Sequence, residues 1–228
     1  MTHAYFLIAH GSPSAYPQQA MAQLVQYLAP LGHVGWGALE CQEMPLEGQI
    51  QCFCQQVQQP VVLLPLFLLP GNHVVVDVPA AIAVAQAVTS LPLQCLSFLG
   101  SQPHFQTWLQ EQLVRVEANI LVGHGSRRPA VLPWFQQLCA SLGVLPALLS
   151  APDSLAQALH QRQRLGHCQS HLFGYFLFGG KTVDAFTAQV QQLQAAYPQQ
   201  RLHISPAIAL TPEFAAMIAK ILAEGATQ

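Results

Sequence analysis

The chain carries one short pattern twice, and this duplication limits its fold more than any other feature. The segment AYFLIAHGS at residues 4–12 returns as ANILVGHGS at residues 118–126, 114 residues later, which is half of the 228-residue chain. In each copy an apolar run ends in His-Gly-Ser, a pattern typical of a buried strand that stops at a tight turn. The repeat therefore predicts two similar domains with a cleft between them, residues 1–115 and residues 116–228.

Strand-like apolar runs alternate with helix-like patterns through both halves. The predicted strands lie at 4–9, 33–39, 61–67, 93–98, 119–123, 144–149, 171–178 and 202–207. The predicted helices lie at 15–28, 46–58, 78–89, 104–116, 130–141, 153–164, 184–195 and 212–223. Strict alternation of this kind is typical of a parallel sheet with helices on both faces.

Each half thus holds four strand–helix units. The fold class predicted is α/β, with two flavodoxin-like parallel-sheet lobes related by internal duplication and strand 1 between strands 2 and 3 in each lobe. Eight units in total also fit a TIM barrel, so that alternative stays open at this point.

The composition limits the kinds of molecule that the protein can bind. Apolar residues make up 52% of the chain, which is enough for buried cores. Charged residues make up only 8%, Lys and Arg total eight, and the net charge is −2. Because nucleic-acid binding needs clustered basic residues over a wide surface, we expect no nucleic-acid partner. An anionic small molecule stays compatible with a local cluster of basic residues.

We expect the protein in the cytoplasm and not in a membrane. The longest apolar stretch, residues 61–69, is interrupted by Pro65 and falls short of the ~20 residues that a membrane span needs. The first residues have neither a basic start nor a cleavage site of the kind found in secretory signals. The six cysteines show no CxxC spacing and are interpreted as reduced thiols.

Titratable residues follow the first three predicted strands. His10 ends strand 1, Glu40 and Glu43 follow strand 2, and His73 follows strand 3. Neighbouring strands lie only about 4.8 Å apart, and ligands bind at the carboxyl edge of such sheets. Two imidazoles and a carboxylate suit a divalent first-row metal and leave coordination positions open. We predict a metal site at His10, Glu43 and His73, with Glu40 as an alternative carboxylate.

The second half differs at the equivalent edge. His124 repeats the first histidine, but Lys181 and Thr182 stand where the first half has its second one. Arg127 and Arg128 follow His124, so this edge is predicted to be cationic and suited to carboxylates. We therefore expect a single metal site, in the first half. The remaining histidines have no partner that spacing assigns and are interpreted as surface or core residues: His3, His33, His104, His160, His167, His171 and His203.

Three segments together resemble a known family. They are FLIAHGS at residues 6–12, LECQEMPL at residues 39–46 and PLFLLPGNH at residues 65–73, which leads into DVP at residues 77–79. With them the chain resembles, over nearly its whole length, the sirohydrochlorin chelatases of the CbiX and SirB type, class II metal chelatases of siroheme and cobalamin synthesis. The third segment is the most specific of the three.

The resemblance implies a bilobal chelatase that inserts a metal into a modified tetrapyrrole lying in the cleft between the lobes. It implies that His10 and His73 bind the metal and take protons from the pyrrole nitrogens, with a carboxylate matching Glu43 beside them. It implies no tightly bound cofactor; an iron–sulfur cluster is not expected, because no cysteine cluster or histidine-rich tract lies near the C-terminus. The divalent metal is a substrate, Fe²⁺ or Co²⁺, with Ni²⁺ also open.

The chemistry of insertion agrees with these residue types. A free macrocycle must lose two inner N–H protons as the metal sheds water, and imidazole is a base that is substantially neutral near pH 7. Sirohydrochlorin also carries eight carboxylates. The residues predicted to bind it are Ser12, Asn72, Arg127, Arg128 and Lys181.

The leading hypothesis is a sirohydrochlorin metal chelatase, delivering iron for siroheme or cobalt for cobalamin and acting as a monomer or homodimer. A tetrapyrrole or metal carrier without turnover is the alternative. A hydrolase that uses Ser12 lacks an assigned acid partner, and neither Ser12 nor Ser126 lies in a G-x-S-x-G motif. Hydrogen bonding within a turn is the favoured role for both serines.

Overall fold

Strands and helices alternate along the whole chain, as the apolar pattern predicts. The computed structural model describes residues 3–117, 119–151, 154–205, 208 and 211–227. The strands are β1 (Ala4–Ala9), β2 (Val34–Ala38), β3 (Val61–Pro65), β4 (Leu93–Cys95), β5 (Ile120–Gly123), β6 (Leu145–Leu148), β7 (Gln169–Tyr175) and β8 (Arg201–Ser205). The helices are α1 (Ala15–Leu28), α2 (Leu46–Val57), α3 (Val78–Val88), α4 (Pro103–Arg115), α5 (Val131–Ser141), α6 (Ser154–Arg164), α7 (Lys181–Ala196) and α8 (Pro212–Gly225).

The described strands form two separate four-stranded parallel sheets. Their orders are β2-β1-β3-β4 and β6-β5-β7-β8, so the first strand of each half lies between the second and the third, as predicted. In the first sheet Tyr5 pairs with Val34 on one side and with Val62 on the other. The TIM-barrel alternative is wrong, because a barrel would join all eight strands into one closed sheet.

The local sequence explains why these elements form. All six residues of β1 are buried, as expected for a central parallel strand that is covered on both faces. In α2 the buried residues Leu46, Ile50, Cys54 and Val57 recur at helical spacing and form one apolar stripe. No helix in the described part of the chain combines the length and the apolar character that spanning a membrane requires.

Each sheet has its own apolar core. In the first, Phe6 and Ile8 of β1 pack with the buried stripe of α2 and with Val78, Ala81 and Ala85 of α3. In the second, Ile120 and Val122 occupy the equivalent places, and the core around them is completed by Leu155, Leu159, Leu172, Phe176, Phe186 and Val190. Equivalent apolar positions thus fill equivalent cores in the two halves.

The contacts of the chain divide it into two compact units. One unit is Met1–Gln106 together with Leu210–Gln228, and the other is Thr107–Ala209. The sequence repeat divides the chain differently, between residues 115 and 116. Helix α8 accounts for most of the difference, because it follows the second sheet along the chain but belongs to the unit of the first sheet.

Specific contacts hold α8 in the first unit. The Gln94 side chain donates a hydrogen bond of 2.9 Å to the carbonyl of Gly225. His104 Nε2 lies 2.7 Å from Glu224 Oε2, and this hydrogen bond lowers the pKa of the Glu224 carboxyl. α8 also packs against α1. It also contacts β3, so a helix distant in sequence packs on the first sheet.

All six cysteines are free thiols, in agreement with the sequence interpretation. Cys54 and Cys139 are buried, and burial raises the pKa of the Cys139 thiol to about 12. That thiol therefore stays protonated at neutral pH and serves as a small apolar core residue.

Candidate metal centre

The backbone brings the ends of β1 and β2 together. His10 directly follows β1, and its carbonyl accepts a hydrogen bond of 2.9 Å from the backbone N–H of Glu40, which extends the sheet pairing by one residue. Gly11 has φ +99°, and a Cβ at this position would overlap the carbonyl oxygen of Glu40. Only glycine therefore allows the chain to turn here and keep Glu40 beside His10.

His73 reaches the same edge from β3. It begins a π-helical turn, His73–Asp77, which runs directly into α3. The rings of His10 and His73 are 4.6 Å apart between centroids and nearly perpendicular, at 88°. A metal–imidazole bond is about 2.0–2.1 Å long. Two imidazoles whose bonds to one metal ion make a right angle therefore have ring centroids roughly 4.5 Å apart. The two rings thus have the spacing of a shared metal site.

Glu40 completes the group. His10, Glu40 and His73 each offer a ligand atom, and these three atoms lie within 4.8 Å of one another. The side chains of His10 and Glu40 are 51% and 54% exposed, and that of His73 is 34% exposed. Two nitrogen donors and one oxygen donor at an accessible edge suit a divalent metal ion that has to arrive and leave.

Glu43, the carboxylate predicted from the sequence, is placed differently from Glu40. It is exposed in the loop between β2 and α2, and it is not one of the three residues whose ligand atoms cluster. The structure thus brings the alternative carboxylate, Glu40, to the two histidines. A role for Glu43 in metal binding stays a prediction.

Asp77 is a site residue that the sequence analysis did not assign. Its Oδ2 lies 2.8 Å from His73 Nδ1, within the π-helical turn. Because a carboxylate oxygen accepts this hydrogen bond, Nδ1 carries the proton and Nε2 keeps its lone pair. His10 Nδ1 lies 3.0 Å from the carbonyl of Gly11, which has the same effect on the first ring. The spacing of four residues between His73 and Asp77 was the sequence signal for this pair.

The second sheet repeats the backbone of this site. His124 Nδ1 lies 3.2 Å from the carbonyl of Gly125, and the backbone N–H of Ser150 donates a 3.0 Å hydrogen bond to the His124 carbonyl. Gly125 has φ +88°, close to its counterpart in the first half. Ser150 therefore occupies the position of Glu40, so the residue at this position carries a hydroxyl in place of a carboxylate.

The register of the strands shows which residues of the second half correspond to the rest of the site in the first half. Ile8 pairs with Pro65, and its repeat counterpart Val122 pairs with Gly174. The same number of residues separates Thr182 from Gly174 as separates the second histidine of the first half, His73, from Pro65. Thr182 therefore stands at the position of that histidine.

The same count places Phe186 at the position of Asp77, and Phe186 is buried in the second core. At these aligned positions, all within the described part of the chain, the second half thus has the first histidine without the second histidine, the glutamate or the aspartate.

Comparison with known proteins agrees with the duplication. The CbiX family model matches the chain twice, over residues 4–116 and over residues 118–225. The chain belongs to the CbiX family. The resemblance read from three short segments is thereby confirmed, and each half of this CbiX member is one copy of the family's domain. Among curated proteins, none matches the chain significantly in sequence.

Solved structures share the fold of this CbiX member. The sirohydrochlorin chelatase SirB from Bacillus subtilis subspecies spizizenii, in complex with cobalt, is 19% identical with a TM-score of 0.75, over 100% of this chain and 96% of that one. SirB from Bacillus subtilis with Fe³⁺ is 21% identical with a TM-score of 0.79, over 99% and 96%. DR2241 from Deinococcus radiodurans, a multi-domain protein with structural similarity to chelatases, is 18% identical with a TM-score of 0.71, over 97% and 54%.

The predicted cations of this CbiX member follow the strands of the second sheet. Arg127 and Arg128 come after β5, with Arg127 exposed and Arg128 half-buried, and the exposed Lys181 begins α7 after β7. β5 and β7 are neighbours, so these residues follow the same sheet edge. A lysine in the first turn opposes the helix dipole, so the charge of Lys181 does not serve to stabilise α7.

Ser12 and Ser126 have the turn role predicted for them. The Ser12 hydroxyl accepts a 3.1 Å hydrogen bond from the backbone N–H of Ser14, and the Ser126 hydroxyl accepts one of 3.2 Å from that of Arg128. Asn72, also predicted to bind substrate, is exposed and directly precedes His73.

Proposed function

We propose that this member of the CbiX family is a sirohydrochlorin chelatase that inserts Fe²⁺ or Co²⁺ into the tetrapyrrole. The observation that carries the proposal is the group of His10, Glu40 and His73, with ligand atoms within 4.8 Å of one another at an accessible sheet edge. The fold shared with a sirohydrochlorin chelatase solved with cobalt, and with SirB solved with Fe³⁺, supports it.

The two histidines combine two tasks. The tetrapyrrole gives up two inner N–H protons, the metal ion gives up water, and two metal–nitrogen bonds replace the two N–H bonds. Nδ1 of each imidazole contacts an oxygen atom, so Nε2 is the free lone pair on both His10 and His73. That lone pair first holds the metal and then accepts a proton when the metal moves to the ring. Holding both reactants at one place removes the entropic cost of their encounter.

The turn that carries His73 also offers apolar surface. Val75 and Val76 are 45% and 53% exposed, although most large aliphatic side chains of the first sheet are buried. Burying such side chains against the flat apolar face of a tetrapyrrole removes apolar surface from water. Apolar residues beside metal ligands therefore fit a macrocyclic substrate better than a free metal ion alone.

Asp77 is expected to act as a positioning residue for His73. Asp77→Asn keeps the shape of the side chain but removes the carboxylate that fixes the Nδ1 proton, so metal affinity should fall by about 10- to 100-fold. Metal titration by calorimetry measures this, with Asp184→Asn, an acidic residue in the first turn of α7, as the control. Unchanged metal affinity in a folded Asp77→Asn variant would contradict the positioning role.

We also propose that Ser12, Asn72, Arg127, Arg128 and Lys181 bind the carboxylates of sirohydrochlorin. An octacarboxylate needs local positive charge, and only eight Lys and Arg residues are available in the whole chain.

Replacing Arg127, Arg128 and Lys181 together by Gln should raise the KM for sirohydrochlorin about tenfold or more and flatten its dependence on salt. The rate at saturating substrate should change much less. Steady-state kinetics at two salt concentrations measure both, and an unaltered KM with an unaltered salt dependence would rule out these residues.

Turnover distinguishes an enzyme from a carrier. Sirohydrochlorin and Fe²⁺, Co²⁺ or Ni²⁺ are mixed in excess over the protein under anaerobic conditions, and the change in tetrapyrrole absorbance is followed. A chelatase converts many equivalents per chain at a rate above the protein-free reaction. A change that stops at one equivalent per chain identifies a carrier, and a rate equal to the protein-free reaction refutes the proposal.

A further inference from the structure

A second histidine pair lies in the unit Thr107–Ala209. His171 of β7 and His203 of β8 pair directly in the sheet register, so their side chains leave the same face of neighbouring strands. Each is the third residue of its strand, and His124 follows the opposite, carboxyl end of β5 in the same sheet. The sequence analysis assigned no partner to these two histidines, and the structure places them side by side.

The spacing of this pair matches that of the candidate metal centre. The ring centroids of His171 and His203 are 4.5 Å apart, and those of His10 and His73 are 4.6 Å apart. Both values agree with the separation of roughly 4.5 Å expected when two imidazoles bind one metal ion and the two metal–nitrogen bonds make a right angle. The planes of the His171 and His203 rings meet at 36°.

His171 is held with one nitrogen free. Its Nδ1 lies 3.2 Å from the carbonyl oxygen of Val116, which can only accept, so Nδ1 carries the proton and Nε2 keeps the lone pair. The backbone N–H of His171 also donates a 3.1 Å hydrogen bond to Oδ1 of Asn119. A metal-binding histidine is typically oriented in this way, by an oxygen acceptor on its other nitrogen.

The surroundings of His171 are polar and open. It lines a cavity of about 390 Å³ that also contains Glu117, His167, Cys168 and Arg162. The Arg162 guanidinium donates hydrogen bonds to Ser170 Oγ and to the Gln169 carbonyl, at 3.0 and 3.1 Å. Glu117 and Asn119 add further polar groups to the lining of this cavity.

We propose that His171 and His203 bind one divalent transition-metal ion of the kind that prefers imidazole, Ni²⁺, Cu²⁺ or Zn²⁺, through one nitrogen each. Water fills the other positions. The site belongs to the second sheet and to no part of the insertion site, so it holds whether or not the protein is a chelatase. It adds a metal-binding role to the half of the chain that lacks the His10 site.

The test uses the full chain carrying His10→Ala and His73→Ala, which removes the first site, and Ni²⁺ alone as the probe. Calorimetry should show one Ni²⁺ bound per chain, and paramagnetic Ni²⁺ should broaden the NMR signals of the His171 and His203 rings before those of other histidines. Adding His171→Ala or His203→Gln should lower the affinity about tenfold or more. His33→Ala, an exposed histidine of the first unit, should leave it unchanged.

Circular dichroism without metal checks that each variant is folded. If His171→Ala fails this check, His203→Gln still tests the site, because His203 is exposed and the change is conservative. Broadening centred on other histidines, no Ni²⁺ binding, or equal affinity in the folded variants and their parent would overturn the proposal. Insertion activity is measured separately in chains with His10 and His73 intact. The outcome of the Ni²⁺ titration therefore does not depend on whether the protein is a chelatase.

Discussion

Replacing His10 or His73 by alanine is expected to lower the initial rate of metal insertion by about 100-fold or more. Each substitution removes one of the two proposed imidazole ligands, whose rings lie 4.6 Å apart, and with it a proposed base for the pyrrole protons. The rate is measured with saturating metal and sirohydrochlorin under anaerobic conditions, after circular dichroism has shown that each variant is folded.

His124→Ala is the matched control. His124 has the same backbone turn, the same Nδ1 contact to the following carbonyl and the same place in its sheet as His10. Among the described residues, however, it belongs to no group of three potential metal ligands. Its loss should cost no more than about 1 to 2 kcal/mol, visible in KM and not in the rate at saturation. An inactive His124→Ala beside a near-normal His73→Ala would place the metal site in the other half.

Glu40→Gln is expected to weaken metal binding about 100-fold, whereas Glu43→Gln should leave it within a factor of about three. Loss of a direct ligand should cost at least as much as loss of a residue that only orients one, for which 10- to 100-fold is typical. Glu40 lies in the cluster of ligand atoms and Glu43 does not. Titration of each variant with Co²⁺ by calorimetry measures the difference.

The two substitutions make a balanced comparison. Each removes one negative charge from an exposed glutamate of the same loop and keeps the side-chain shape, so a general change in charge would affect both variants equally. A large loss for Glu43→Gln with normal binding for Glu40→Gln would assign the ligand to Glu43, as the family resemblance implies, and would show that the loop rearranges when metal binds.

The strand order and the histidine pair could be predicted from the sequence. Strands that are buried on both faces appear as continuous apolar runs, and His10 follows such a run directly, so its place at the sheet edge depends only on local pattern. His73 follows the third strand, which the usual order of such sheets places beside the first. The structure confirms this order.

The choice between Glu40 and Glu43 could not be predicted in this way. Both glutamates follow β2 within a few residues, and sequence distance does not separate them. The hydrogen bond from the Glu40 N–H to the His10 carbonyl extends the sheet by one residue and determines which carboxylate lies beside the histidine. Asp77 joins the site for a similar reason, since the π-helical turn brings it 2.8 Å from His73.

The sequence by itself determined the duplication, the parallel sheets and the two histidines of the first half, because these follow from the order of apolar and polar residues along short segments. Only the tertiary structure decided that α8 packs in the unit of the first sheet, that Glu40 lies beside the two histidines and that His171 lies against His203. Each of these depends on contacts between residues far apart in the chain or on a register of single residues, which local patterns do not specify.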